Sequence, residues 1–314
     1  MNHQKILIAL GGNGILKGDP SAEGQNQVVQ ETVKQLIPLI KADFQLVITH
    51  GNGPQVGNLH LQQLARPSQE NPALPIDSCV AMTQGSIGYW LQKNLTRELI
   101  KEGLPLKALT CLTQVLVAAT DPAFQKPTKP IGPFISKEEA LKEMAKEKVV
   151  FKEQPNKGWR RVVPSPQPLE IIEGPVIRQL MNQEVVPIVL GGGGIPVINS
   201  AEGLEGVEAV IDKDLSSQKL ASDLAVDRLV ILTNVSHVYL NYLQENQQQL
   251  GKVTLSELVK YQAEGHFASG SMEPKVAAVI KFLQENPQGQ GIITSLDNLQ
   301  PALKGESGTL ISSN

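Results

Sequence analysis

Ile6-Leu7-Ile8-Ala9-Leu10 runs directly into Gly11-Gly12-Asn13-Gly14. The pattern recurs where LVITH (residues 46–50) meets Gly51-Asn52-Gly53-Pro54, and again where VVPIVL (185–190) meets Gly191-Gly192-Gly193-Gly194. Each apolar run is short and rich in β-branched residues, the composition of a strand buried on both faces. In the first two cases an amphipathic segment follows. A strand, a glycine turn and a helix start together expose backbone N–H groups beside the positive end of a helix dipole, which makes a place for an anion. One such turn says little. Three in one chain predict a sheet whose C-terminal edge carries a polyphosphate site.

Outward from these turns the chain alternates. Val29, Val33, Leu36, Ile37 and Ile40 recur at helical spacing, which predicts a helix over about 25–41 joining the first two strands as a crossover. A second helix is expected near Pro54, since proline suits a first helical turn. A third is expected over about 79–101, carrying Ile87, Trp90, Leu91, Leu95 and Leu99. Residues 106–117 read as a strand and 170–181 as a helix. Buried strands are expected at 185–190, 228–232 and 291–294, with helices near 215–225 and 274–284. Such alternation implies an α/β fold with a mainly parallel sheet covered on both faces.

The stretch 121–168 breaks this rhythm. It holds eight prolines, Pro155 among them, and a charged helix over about 137–148 with little apolar face. It reads as an inserted subdomain or lid in an otherwise single domain spanning 1–314, or else as a stiff surface excursion. PTKPIGP (127–133) favours the lid, because prolines and a glycine there would aim Lys129 at low entropic cost.

The 314 residues suffice for one large α/β domain, and the 41% apolar content is ordinary. A net charge of −3 gives no reason to expect nucleic acid. No apolar run approaches the ~18 residues that cross a bilayer, and 6–10 is too short for a signal-peptide core. The two cysteines, Cys79 and Cys111, sit in apolar surroundings without a CxxC pair, as expected of free thiols in a reducing cytosol. The histidines show no metal-ligand spacing, and no metal-ligating residue is assigned.

No GxxxxGK[ST] occurs, no turn is a clean GxGxxG with its acidic partner, and the protein-kinase motifs are missing. What remains is Asp212-Lys213-Asp214 at a helix start. Alone it would read as acids complementing the helix dipole. Shortly after the third glycine turn, Lys213 can neutralise a phosphoryl group while Asp214 orients it. Ser271-Met272-Glu273-Pro274-Lys275 supplies a second lysine at a helix start, preceded by the flexible loop 265–270. Phosphoryl transfer asks for alignment and charge neutralisation from lysines, backbone N–H groups and a metal held mostly by phosphate oxygens. His50, beside a glycine turn, reads as a hydrogen-bonded turn residue rather than a base.

Together, ALGGN (9–13), HGNGPQVGN (50–58), AMTQGSIGY (81–89), PTKPIGP (127–133), WRRVVPSP (159–166), 191–196, GVEAVIDKD (206–214) and GSMEPK (270–275) resemble the carbamate kinase family, a branch of the amino-acid-kinase superfamily. The resemblance covers nearly the whole chain. It implies a three-layer αβα sandwich with a small protruding subdomain, a cytoplasmic homodimer, and the Mg²⁺-dependent reaction carbamoyl phosphate + ADP ⇌ carbamate + ATP, run toward ATP in fermentative arginine catabolism. By that analogy the N-terminal part holds the carbamate side and about 185–314 the nucleotide side. Gly11, Gly12, Asn13, Gly51, Asn52 and Gly53 would line the carbamoyl and phosphoryl site. Gly191, Gly192, Lys213, Ser271, Met272 and Lys275 would meet the nucleotide. Lys129, Lys213, Asp214 and Lys275 would form the catalytic set.

Two departures from the family pattern stand out. Gly14 occupies a common alanine position, and Ser236 replaces a frequent aspartate near the expected nucleotide pocket. A kinase for another small acid such as acetylglutamate, and a non-catalytic sensor of nucleotide or carbamoyl phosphate, are the alternatives. PTKPIGP speaks against the first, and the intact Lys213, Asp214 and Lys275 against the second.

Overall fold

An eight-stranded sheet forms the centre of the computed structural model, which describes residues 4–146, 149–154, 157–268 and 270–314. From edge to edge run Lys252–Thr254, Thr309–Ser312, Gln290–Ser295, Arg228–Thr233, Lys5–Leu10, Gln45–His50, Val185–Val189 and Lys107–Thr110. Neighbours pair in parallel except Gln290–Ser295 with Thr309–Ser312. The three apolar runs that precede the glycine turns lie side by side in this sheet. Their glycine turns therefore emerge together at its C-terminal edge.

Alternation along each strand builds two cores. In Lys5–Leu10, Leu7 and Ala9 join one apolar cluster while Ile6, Ile8 and Leu10 join the other. Arg228–Thr233 divides the same way, Leu229 and Ile231 against Val230 and Leu232. Helices Ala22–Lys41 and Ile76–Lys101 cover one face through Val29, Val33, Leu36, Ile87, Leu91 and Leu95. Lys213–Leu224 and Met272–Glu285 cover the other through Leu220, Leu224, Val276 and Val279. Continuous apolar strands need both faces covered, and the result is a three-layer αβα sandwich.

Two expected elements divide. The run 106–117 forms two strands, Lys107–Thr110 and Gln114–Leu116, the first in the main sheet and the second in a four-stranded sheet. The stretch 170–181 opens as a strand, Glu170–Ile171, paired with Gln114–Leu116, and only Gly174–Met181 is helical. Glu173 holds that junction, its carboxylate accepting from the Gln114 backbone N–H at 2.7 Å and side-chain amide at 2.9 Å.

Within 121–168, Lys129–Ile135, Gly158–Val163 and Val150–Gln154 form a separate antiparallel sheet carrying the helix Lys137–Lys146. The last two residues of the expected 137–148 helix, together with Pro155 and Ser269, lie outside the described residues. This small sheet docks on the helix Gln55–Ala65 by a backbone-to-backbone approach. A Cβ on Gly57 would overlap the backbone of Gly132, so only glycine fits there. Ile131 and Val163 then share a small core with Val56, Ile76, Val80 and Val210.

Candidate active site

The C-terminal edge of the sheet opens into a cleft of about 260 Å³ between the main body and the small sheet. Three helix N-termini face it. Pro54 precedes Gln55–Ala65, Asp212 caps Lys213–Leu224, and Ser271 precedes Met272–Glu285. The positive ends of their dipoles favour negative charge in this cleft.

The floor is a charged network. Lys213 Nζ donates to Asp214 Oδ1 at 2.5 Å, and Lys275 Nζ donates to Asp214 Oδ2 at 2.8 Å. Asp214 is 2% exposed. Burial by itself would raise this carboxyl, but Lys213 and Lys275 outweigh it and hold Asp214 well below the usual carboxylate range. Burial, seconded by the neighbouring charge of Lys275, lowers Lys213 against the pull of Asp214. Two ammonium groups are thus held close together by one shared carboxylate, both at the cleft.

A second acid does two jobs. Asp212 Oδ1 accepts from the Asp214 backbone N–H at 2.9 Å, which caps the helix, and Asp212 Oδ2 accepts from Lys129 Nζ at 2.5 Å. Lys129 belongs to the small sheet, so this pair ties the subdomain to the start of the helix that carries Lys213.

The glycine turn 191–194 is locked from behind. Ser216 Oγ donates to the Gly193 carbonyl at 2.7 Å, and Thr49 and Ser217 hydroxyls meet at 2.6 Å. Gly193 has φ +93° and approaches the Ile211 carbonyl so closely that a Cβ would collide with it. Gln84 clamps the neighbouring strand, accepting from the Thr113 N–H at 2.9 Å and donating to the Thr113 carbonyl at 3.1 Å. Asn52 Nδ2 donates to Thr83 Oγ1 at 3.3 Å, which explains the use of Thr83 and Gln84 within AMTQGSIGY.

Lys129, Lys213, Asp214, Lys275, Gly12, Gly51, Asn52, Gly53, Gly192 and Ser271 all line the cleft. Gly11 and Gly191 are buried behind it, Gly11 against the Leu232 carbonyl and Gly191 against His50 and Gln84. Asn13 is exposed and is not among the lining residues. Met272 faces an adjoining pocket of about 200 Å³ with Asn234, Tyr239, Tyr242 and Phe267, and Ser271 borders both spaces. Ser236 does not line that pocket; its carbonyl accepts from Thr294 Oγ1 at 3.1 Å.

His50 is 1% exposed, with Nδ1 2.8 Å from the Gly51 carbonyl oxygen, so the neutral ring carries its proton there. Burial pushes it down to about 4. It ends the strand Gln45–His50 rather than lying in the turn, and only its ring hydrogen-bonds into the glycine turn. In sequence Asp212 reads only as an acid complementing the helix dipole, and Arg160 carries no assigned role. The N-cap position of Asp212 was a usable signal, whereas its pairing with Lys129, 83 residues away, was not. Cys79 is buried and Cys111 only half-buried, both as free thiols.

Among the described residues no cluster of three His, Cys, Asp or Glu side chains is placed to hold a metal ion. No described helix is long and apolar enough to cross a membrane.

The amino acid kinase family profile matches residues 4–293. Carbamate kinase 1 of Enterococcus faecium is 52% identical over 296 residues, 94% of each chain. The carbamate kinase of Latilactobacillus sakei is 49% identical over 312 residues, 99% of each chain. The structure of carbamate kinase from Giardia lamblia bound to AMP-PNP superposes with a TM-score of 0.91 at 40% identity, covering 99% of both chains. The chain therefore belongs to the amino acid kinase family, within its carbamate kinase group.

Proposed function

We propose that this chain transfers a phosphoryl group between carbamoyl phosphate and ADP, giving carbamate and ATP. The observation that carries the proposal is the pair of ammonium groups, Lys213 and Lys275, held on one buried carboxylate where three helix N-termini converge. A β-phosphate oxygen of ADP attacks phosphorus, the bond from phosphorus to the carbamoyl oxygen breaks, and carbamate leaves with the electron pair. No proton need move, so no general base is required. The two ammonium groups offset the negative charge on the phosphoryl oxygens during transfer, without reorganising. Asp214 keeps both lysines in place.

The acyl phosphate lies toward Gly12, Gly51, Asn52, Gly53 and Lys129, with Gly11 and Asn13 shaping that turn. The nucleotide lies toward the 185–314 side, its phosphates near Gly192, Ser271, Lys213 and Lys275, with Gly191 supporting the turn. Its base sits in the adjoining pocket, which pairs apolar Met272 and Phe267 with the tilted rings of Tyr239 and Tyr242, 5.7 Å apart. The small sheet within 121–168 acts as a lid that brings Lys129 to the phosphoryl group. Asp212 and Asp214, the carboxylates lining the cleft, are both engaged by lysines. That fits a Mg²⁺ ion carried in by the nucleotide phosphates rather than caged by protein, and Mg²⁺ so bound neutralises phosphate charge.

The enzyme works in the cytoplasm, in the ATP-forming direction of fermentative arginine breakdown, and as a homodimer. Free Cys79 and Cys111 suit a reducing compartment. Exposed Met82, Tyr89, Leu109 and Leu112 beside the edge strand Lys107–Thr110 offer an apolar face for a second copy. Sedimentation of the purified chain tests the dimer. A panel of acyl phosphates with ADP tests the substrate: carbamoyl phosphate should exceed acetylglutamyl phosphate in kcat/KM, and the reverse order would discard the assignment.

A further inference from the structure

Gly158–Val163 is the middle strand of the small sheet, and alternation along it turns Arg160 and Arg161 to opposite faces. Arg161 goes to the helix Gln55–Ala65, with Nη1 3.1 Å from His60 Nδ1. Arg160 turns to the cleft, which it lines with Lys129, Lys213 and Lys275. Phe134 supports its guanidinium, with Cζ 5.2 Å from the ring centroid.

These four cations differ in what they already hold. Lys213 and Lys275 share Asp214, and Lys129 is on Asp212. Among the described residues no carboxylate pairs with Arg160, and its Nε is buried without a hydrogen-bond partner. Burial pushes the guanidinium down from its ordinary range. A partly buried guanidinium with an idle buried donor beside an open cavity gains when an anion meets it. Its planar fork matches two oxygens of a phosphate group, which an ammonium cannot do.

We propose that Arg160 is a direct ligand of the acyl-phosphate substrate, gripping its phosphoryl oxygens from the lid side of the cleft. This deepens the kinase reading above. Binding by Arg160 uses a cation that need not give up an existing carboxylate, so the substrate gains a contact without breaking the Asp212 or Asp214 pairs. Arg160 and Lys129 lie on adjacent strands of one small sheet, so both reach the substrate as a unit.

The test compares the full-length chain with Arg160→Gln and Arg160→Lys. Initial rates of ATP formation give KM for carbamoyl phosphate and for ADP separately. Calorimetry with inorganic phosphate reads anion binding without catalysis. Arg160→Gln should raise KM for carbamoyl phosphate by about 10- to 100-fold, as expected for loss of a charged hydrogen bond. KM for ADP should stay within about twofold, because the nucleotide approaches from the other side. Phosphate binding should weaken in parallel, and Arg160→Lys, which keeps charge but loses the fork, should recover it only in part. An unchanged KM for carbamoyl phosphate, an equal rise in both KM values, or undiminished phosphate binding in Arg160→Gln would overturn the assignment. If the wild-type chain binds phosphate through Arg160 yet makes no ATP from carbamoyl phosphate, the substrate assignment falls and the Arg160 site stands.

Discussion

Lys275 Nζ lies 2.8 Å from Asp214 Oδ2 although 61 residues separate them, and Lys213 occupies the other oxygen of the same carboxylate. One buried acid thus sets the positions of two lysines on two helices. Removing its charge leaves two largely enclosed ammonium groups at one place with no carboxylate between them. Asp214→Asn preserves shape and should still lower kcat by about 100-fold or more. It should also lower stability by about 3 kcal/mol, the usual effect of breaking a buried pair from one side. Urea unfolding and initial rates check both, and a variant normal in either would separate the carboxylate from that role.

In the proposed reaction the lysines themselves act on the transferred group. Lys213→Ala and Lys275→Ala should each reduce kcat by roughly 100-fold or more, with far-ultraviolet dichroism unchanged. Near-normal turnover in one of them would remove that lysine from the catalytic set.

Lys129 stands on the small sheet proposed as a lid and pairs with Asp212. Lys129→Ala should act mainly on carbamoyl phosphate, raising its KM by about tenfold, as loss of a charged contact predicts. Steady-state rates with each substrate varied in turn decide this. A rise confined to the KM for ADP would contradict the lid placement.

Gly57 and Gly132 meet backbone to backbone where the small sheet docks. Gly57→Ala forces them apart, an overpacking strain of about 1–3 kcal/mol. Displacing the small sheet should weaken carbamoyl phosphate use while ADP binding, measured by calorimetry, stays near normal. Equal loss of both ligands would mean that the damage spreads to the main body.

Acid sensitivity follows from His50. In the folded chain the buried ring is pushed down to about 4, while in the unfolded chain it takes its proton near 6.5. Between those values the unfolded state binds more protons, so stability rises with pH. The contribution is fully present above the unfolded value and is lost as pH falls toward the folded one, about 3 kcal/mol for a shift of this size. His50→Gln should flatten this part of the curve. Urea midpoints at pH values of about 4.5 and 7.5 test it, and an equal acid loss in both proteins would count against the assignment.

Much of this was legible from the three strand-to-glycine runs, because a strand buried on both faces leaves an unbroken apolar signature. Helix periodicity located the covering layers to within a few residues. Short strands carried too little pattern to read: Lys252–Thr254 and Thr309–Ser312, which finish the sheet edge, went unforeseen. Residues 106–117 look continuous because sequence does not show that Thr110 and Gln114 serve different sheets.

In the site, the lysines were readable as charges at helix starts. The tie of Asp212 to Lys129, 83 residues away, and the vacant hydrogen bond of Arg160 were not, because both arise from the folded packing rather than from a local pattern. The glycine signature also covers two different uses. Gly12 and Gly192 border the cleft, whereas Gly11 and Gly191 are small so that neighbouring backbone and side chains can pack behind it.

ATP formation from ADP and carbamoyl phosphate with Mg²⁺, measured for the wild-type chain beside Lys275→Ala and a protein-free control, tests the central claim most directly. The expected result is rapid ATP formation by the wild type and at least roughly 100-fold slower formation by the variant. A folded wild-type chain that makes no ATP above the control, or a variant that matches it, would contradict phosphoryl transfer by the paired lysines.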